Sequence, residues 1–105
     1  MFCVIYSFDV HEGQDEKFIQ AWAGLTKLIY QYEGSLGSRL HQESEHRYLA
    51  YAQWPNRKRW EDSGDQMPEE ADQFRKDMKD SCSKIETLHT MELSEYLLQS
   101  TIWEG

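Results

Sequence analysis

Positive charge is what this sequence has too little of. Eleven Lys and Arg stand against nineteen Asp and Glu, giving a net charge of −8. Phosphate recognition needs clustered cations, so this balance argues against DNA, RNA or an anionic membrane surface as a partner. Cysteine is nearly absent, with Cys3 and Cys82 alone. The apolar run at the N-terminus, residues 2–10, is far too short to span a bilayer. No basic segment or cleavage site precedes it. The chain is therefore expected to be cytoplasmic, with both thiols reduced and Cys3 serving as a small buried apolar group. There is no GxGxxG, no P-loop, no GxSxG and no HExxH. Nucleotide cofactors, serine-hydrolase chemistry and zinc proteolysis lose their usual signatures. His41 and His46 lack a third ligand at a recognisable spacing, so no metal is expected and the two are read as solvated hairpin histidines.

Aromatic residues, at 13%, are what the chain has in excess. They concentrate in YLAYAQWPNRKRW, residues 48–60. Residues 48–54 are apolar apart from Gln53, too short for a helix and suited to a buried strand. Pro55 ends that strand, having no N–H for a sheet ladder. Pro55 and Asn56 suit the opening of a helix, and Trp60 follows one turn in. Two tryptophans, Trp54 and Trp60, thus meet at a strand-to-helix junction.

The remaining elements fall around that junction. Residues 2–10, FCVIYSFDV, are largely apolar on both alternating faces, as expected of a strand covered on both sides. Residues 14–33 carry Phe18, Trp22, Leu25, Ile29 and Tyr32 at alternating steps of four and three, with Ala21 and Leu28 widening the stripe: an amphipathic helix closed by Gly34. Residues 35–42 alternate as a less apolar strand, with a bulge or close approach expected at its Ser- and Gly-rich start. The charged segment 43–47 is the turn of a hairpin with 48–54. A broken helix follows over 56–63 and 69–80, the second piece opened by Pro68 and carrying Ala71, Phe74 and Met78 on one side. A last strand region is expected over 85–97 and a loose tail over 101–105. At 105 residues this is read as a single domain, 1–105. The order is βαββαβ, the ferredoxin-like α+β arrangement: an antiparallel sheet with its helices on one face. The two-sided apolar strand 2–10 then asks for a second cover, most simply a second copy, giving a homodimer with sheets face to face.

Tyr51-Ala52-Gln53-Trp54, with Gly34-Ser35-Leu36-Gly37-Ser38 upstream, resembles the antibiotic biosynthesis monooxygenase family over residues 2–98. The resemblance implies a dimeric α+β barrel. It also implies, in members that oxidise polycyclic phenols, chemistry without metal, flavin or haem, in which the phenol anion reacts directly with O₂. Those members carry a strand asparagine four residues before the motif's tryptophan, that tryptophan, a tyrosine six residues later and an arginine on the second helix. Trp54 matches the tryptophan and Arg75 the arginine, and these are the candidate catalytic residues. Ala50 stands at the asparagine position and Trp60 at the tyrosine position, where its indole still offers a donor. Haem-degrading relatives need a histidine in the second helical region, and residues 56–81 contain none.

The candidate substrate-binding set is Trp60, Trp22, Tyr51, Tyr6, Phe74 and His41. The aromatic members either fill the core or line a cleft for a flat ligand, with Arg75, Arg39 or His41 as orienting groups. The reading is a cofactor-independent monooxygenase that oxidises an aromatic or quinol-type small molecule with O₂. The alternative is a non-catalytic protein of the same fold that binds a small ligand or supports dimerisation.

Overall fold

The computed structural model describes residues 1–99; the expected tail over 101–105 lies outside them. Seven elements follow in order: β1 (Phe2–Val10), α1 (Asp15–Tyr32), β2 (Ser38–Ser44), β3 (Arg47–Trp54), α2 (Arg57–Glu61), α3 (Ala71–Ser81) and β4 (Cys82–Glu92). The strands form one antiparallel sheet in the order β2-β3-β1-β4, so β2 and β4 are its edges. This is the expected ferredoxin-like arrangement. The sheet of one chain is open, not a closed barrel.

Register decides which side chains meet. Phe2, Val4, Tyr6 and Phe8 of β1 stand opposite Trp54, Ala52, Ala50 and Tyr48 of β3. Partners directly opposite share a face, so all eight look toward the helices. There they build two apolar clusters. One joins Phe8, Val10, Tyr48, Ala50 and Cys82 to Phe18 of α1; the other holds Phe2, Val4, Ala52 and Trp54. Phe18 sits between the rings of Phe8 and Tyr48, with centroids 4.9 and 5.1 Å away.

The opposite face carries Cys3, Ile5 and Ser7, paired with Gln53, Tyr51 and Leu49. Cys3 and Ser7 are already buried within one chain. Small side chains on a central strand are shadowed by their longer neighbours, so the two-sided apolar character of β1 is met in part without a second molecule. Both cysteines are free. They lie at opposite ends of the sheet, Cys3 opposite Met91 and Cys82 opposite Val10.

α1 buries Phe18, Ala21 and Leu28, but Tyr32 is 50% exposed and leaves the expected stripe. The helix ends there, and Gly34 takes the left-handed backbone (φ 81°) that a closing glycine provides. α3 lies close against α1: a Cβ on Gly24 would come within 2.5 Å of the Phe74 ring. α2 is capped by the Asn56 side chain, which accepts from the Arg59 N–H at 2.8 Å. Pro55 precedes that cap instead of entering the helix. Glu33 is buried, and its carboxylate accepts the backbone N–H groups of Gly64 and Gln66, tying the end of α1 to the loop after α2.

Two boundaries shift. β2 begins at Ser38, yet Leu36 and Gly37 already exchange backbone bonds with Gln53 (2.8 and 2.9 Å), and Gly37 has φ 101°. That is the irregularity expected of the glycine-rich start. β4 runs over Cys82–Glu92 instead of 85–97, because the chain turns directly from α3 into pairing with Val10.

Candidate functional site

Between the sheet and the helices lies an apolar cavity of about 200 Å³. Its floor is Tyr6 and Phe8 of β1 with Ala50, Ala52 and Trp54 of β3. Trp22, Leu25, Thr26 and Ile29 of α1 form the roof, and Met78, Ile85, Ser35 and Ser38 the sides. The space follows from local sequence. Two alanines on β3 alternate with outward residues beneath a helix whose inward face carries large side chains, and small residues below a roof leave a void. No carboxylate, imidazole, ammonium or guanidinium group lines it.

Two lining residues carry polar groups of note. Trp54 is only 4% exposed, and its indole Nε1 is a buried donor without a hydrogen-bond partner. Tyr6 accepts a hydrogen bond from Trp60 Nε1 at 2.8 Å, and burial raises its phenol above the ordinary range against a smaller opposing effect of that bond. Trp60 itself packs on Phe2, with ring centroids 5.5 Å apart. It stands beside the floor on the helix side of the sheet and is not part of the cavity lining.

Of the eight candidate residues, the structure brings Tyr6, Trp22 and Trp54 into the cavity, with Trp60 touching it through Tyr6. The other four lie elsewhere. Tyr51 is on the opposite face of the sheet, within 3.1 Å of Cys3 Sγ and beneath the Arg39 guanidinium at 5.2 Å. His41 lines a shallow groove at the β2 edge with Ile19 and Gln42. Phe74 packs in the α1–α3 seam against Gly24. Arg75, one step further round α3, faces outward with Asp72 as a distant ion partner at 3.9 Å. Sequence reasoning did not single out Leu25, Ile29 and Met78 as lining residues, although their helical spacing contained that signal.

A second polar cluster sits at the far end of the same face. Asp15 accepts from Tyr48 Oη at 2.7 Å through one oxygen and pairs with His46 Nδ1 at 2.8 Å through the other. Tyr48 is pushed up to about 12, first by the hydrogen bond to the carboxylate, then by burial. The Tyr48 bond leads in holding Asp15 below the ordinary range, and the Asp15 bond leads in raising His46. His46 is thus not the free hairpin histidine expected: it clamps the β2–β3 turn, at φ 62°, onto the start of α1. Among the described residues no group of three or more His, Cys, Asp or Glu is placed to hold a metal, and no helix is long and apolar enough to cross a membrane.

The profile of the antibiotic biosynthesis monooxygenase family matches residues 1–76, and the chain belongs to that family. Solved structures share the fold at low identity. SnoaB, a cofactor-independent oxygenase from Streptomyces nogalater, superposes with a TM-score of 0.74 at 12% identity, covering 93% of this chain and 97% of its own. An antibiotic biosynthesis monooxygenase candidate from Deinococcus radiodurans gives 0.72 at 12% identity, over 96% and 100%. One from Bordetella bronchiseptica gives 0.70 at 18%, over 90% and 97%. A search of curated proteins finds no match.

Proposed function

We propose that this chain is a cofactor-independent monooxygenase that oxidises a small phenol or quinol with O₂ in the cavity beneath α1. The observation that carries this is the uncharged apolar cavity of about 200 Å³ between the sheet and the helices. Membership of the monooxygenase family and the likeness to an oxygenase described as cofactor-independent support the reading.

Volume narrows the substrate. A cavity of ~150 Å³ lined by aliphatic and aromatic groups accommodates benzene. At about 200 Å³ this one suits one or two fused rings. In balanced form, a phenol and O₂ give a para-quinone and water: the ring loses its O–H and one C–H hydrogen, one oxygen atom ends on the ring carbon and the other in water. The electron-rich phenolate is the donor of electrons to O₂. A fixed donor aimed at its oxygen stabilises that charge. The lining offers no base. The phenol therefore gives its proton to water as it enters, and the rate follows the substrate's own ionisation.

Incubation with 1-naphthol under ¹⁸O₂ tests this. One labelled oxygen is expected in 1,4-naphthoquinone, at a rate that climbs with pH through the ionisation of naphthol. Binding without O₂ uptake, for naphthol and for dihydroxynaphthalenes, would transfer the protein to the second reading, a non-catalytic ligand-binding member of the fold. Ala50, which offers no hydrogen bond at the position where phenol-oxidising relatives carry asparagine, favours that second reading.

The functional unit is read as a homodimer. Ile5 and Leu49 on the open sheet face are half-buried, Met91 is 40% exposed, and beyond β4 the residues Tyr96, Leu97 and Leu98 are exposed. A second copy laid sheet to sheet covers such a face and completes a barrel. Sedimentation equilibrium at low micromolar concentration decides it, and a folded monomer there would remove the dimer from the proposal.

A further inference from the structure

We infer that Tyr6 is the hydrogen-bond donor of the cavity, aimed by Trp60, and that it favours ligands carrying an oxygen acceptor. The inference rests on the reading that the cavity binds a small phenol or quinol, and it adds the residues that recognise the oxygen.

A tyrosine hydroxyl carries one proton and two acceptor lone pairs. The Trp60 N–H, at 2.8 Å from Tyr6 Oη, occupies the acceptor side. The proton is then disfavoured from pointing at Trp60, where it would meet another donor. The phenol O–H prefers to lie in the plane of its ring, so the opposite in-plane orientation is left. No acceptor among the described residues takes this proton. Tyr6 lines the cavity, and Ala50 directly across the ladder is too small to reach its hydroxyl. The phenol stays protonated at neutral pH, since burial raises it. Trp60 also packs on Phe2, whose ladder partner is Trp54. On the other side of β1, the register with β4 slips between Ile5 and Tyr6. Such bulges re-aim a side chain next to a site.

The cavity therefore presents one hydroxyl donor and no charged group. This suits a neutral phenol, quinone or quinol, and favours the phenolate most, because hydrogen bonds to a charged oxygen are the stronger ones. Ligands of the same shape without oxygen gain nothing from that donor.

The test compares 1-naphthol with naphthalene, followed by tryptophan fluorescence, in the wild-type protein, Tyr6→Phe and Trp60→Phe. Tyr6→Phe should weaken naphthol binding about tenfold and leave naphthalene unchanged. The bound naphthol's own ionisation, read from its absorbance, should move to higher pH in Tyr6→Phe and by a smaller amount in Trp60→Phe. A purely structural role for Trp60 would weaken both ligands equally and leave that ionisation in place. Circular dichroism and thermal melts verify that each variant is folded. Should Trp60→Phe unfold, Tyr6→Phe decides alone, because it removes one oxygen and keeps the ring. Naphthol bound equally well by wild type and Tyr6→Phe overturns the Tyr6 assignment and leaves the cavity reading standing. Failure of both ligands to bind the wild type overturns the cavity reading itself.

Discussion

Tyr48 and Tyr6 stand on neighbouring strands, face the same helices and differ in what their hydroxyls have found. Tyr48 donates to Asp15, which is held from its other side by His46. Every polar atom of that group has a partner, and the result is a clamp between the β2–β3 turn and the first turn of α1. Tyr6 receives a hydrogen bond from Trp60 and gives none to a described residue. One end of the face is a finished network, and the other keeps an unused donor. Buried polar groups are almost always satisfied in native structures, so an unfinished one points to function more strongly than aromatic content does.

The contrast can be broken first at the finished end. Asp15→Ala removes the acceptor of both Tyr48 and His46, leaving the buried Tyr48 hydroxyl unpaired. Urea denaturation should show a loss of about 1–3 kcal/mol with little change in naphthol affinity. Equal losses of stability and affinity would show that the two ends are not separable.

His46 should carry a pH signature of smaller size. Its folded pKa is raised, so its contribution is fully present below the unfolded value near ~6.5 and disappears as pH rises through the folded value. Asp15 is depressed, so its contribution is present above its unfolded value and disappears as pH falls through the folded one. The pair stabilises most between these limits. The gap in melting temperature between wild type and His46→Gln should therefore be wider at pH 6 than at pH 9. A gap independent of pH would mean that the ion pair contributes nothing.

At the unfinished end, Trp54→Phe should barely move stability, since it deletes a donor that had no partner while keeping an aromatic wall. Naphthol affinity should drop a few-fold because the smaller ring changes the shape of the cavity wall, measured by calorimetry because a fluorophore is lost. Stability falling with affinity undiminished would assign Trp54 to packing alone.

How much of this was legible in the sequence varies by element and for physical reasons. The α1 stripe, the β3 run and the strand–helix order follow from periodicity, which burial imposes directly. The face of a strand residue also follows from periodicity, and parity separates Tyr51 from Trp54 and His41 from Leu40. Grouping Tyr51 and His41 with the cavity set overlooked that a shift of one residue changes face. Arg75 is a similar case on a helix, where one step from Phe74 turns the side chain about 100°. The bond between Tyr48 and Asp15 joins residues 33 apart in sequence, and only the fold brings them together. The same holds for Trp60 and Tyr6, 54 apart. Sequence marked Ala50 as the loss of a donor, and only the ladder shows Tyr6 directly opposite it.

The two edges of the sheet have a consequence for how single copies behave in a crowd. β2 and β4 each show an outward row of N–H and C=O groups with no strand beside them. Such rows invite any extended segment to add on. Arg39 and Glu43 on one flank, and Lys84, Glu86 and Glu92 on the other, place charges where a stray strand would have to settle. With a net charge of −8 the chains also repel one another at a distance. Charges that discourage edge-to-edge pairing thus sit on the least conspicuous strands, at positions that take no part in the cavity.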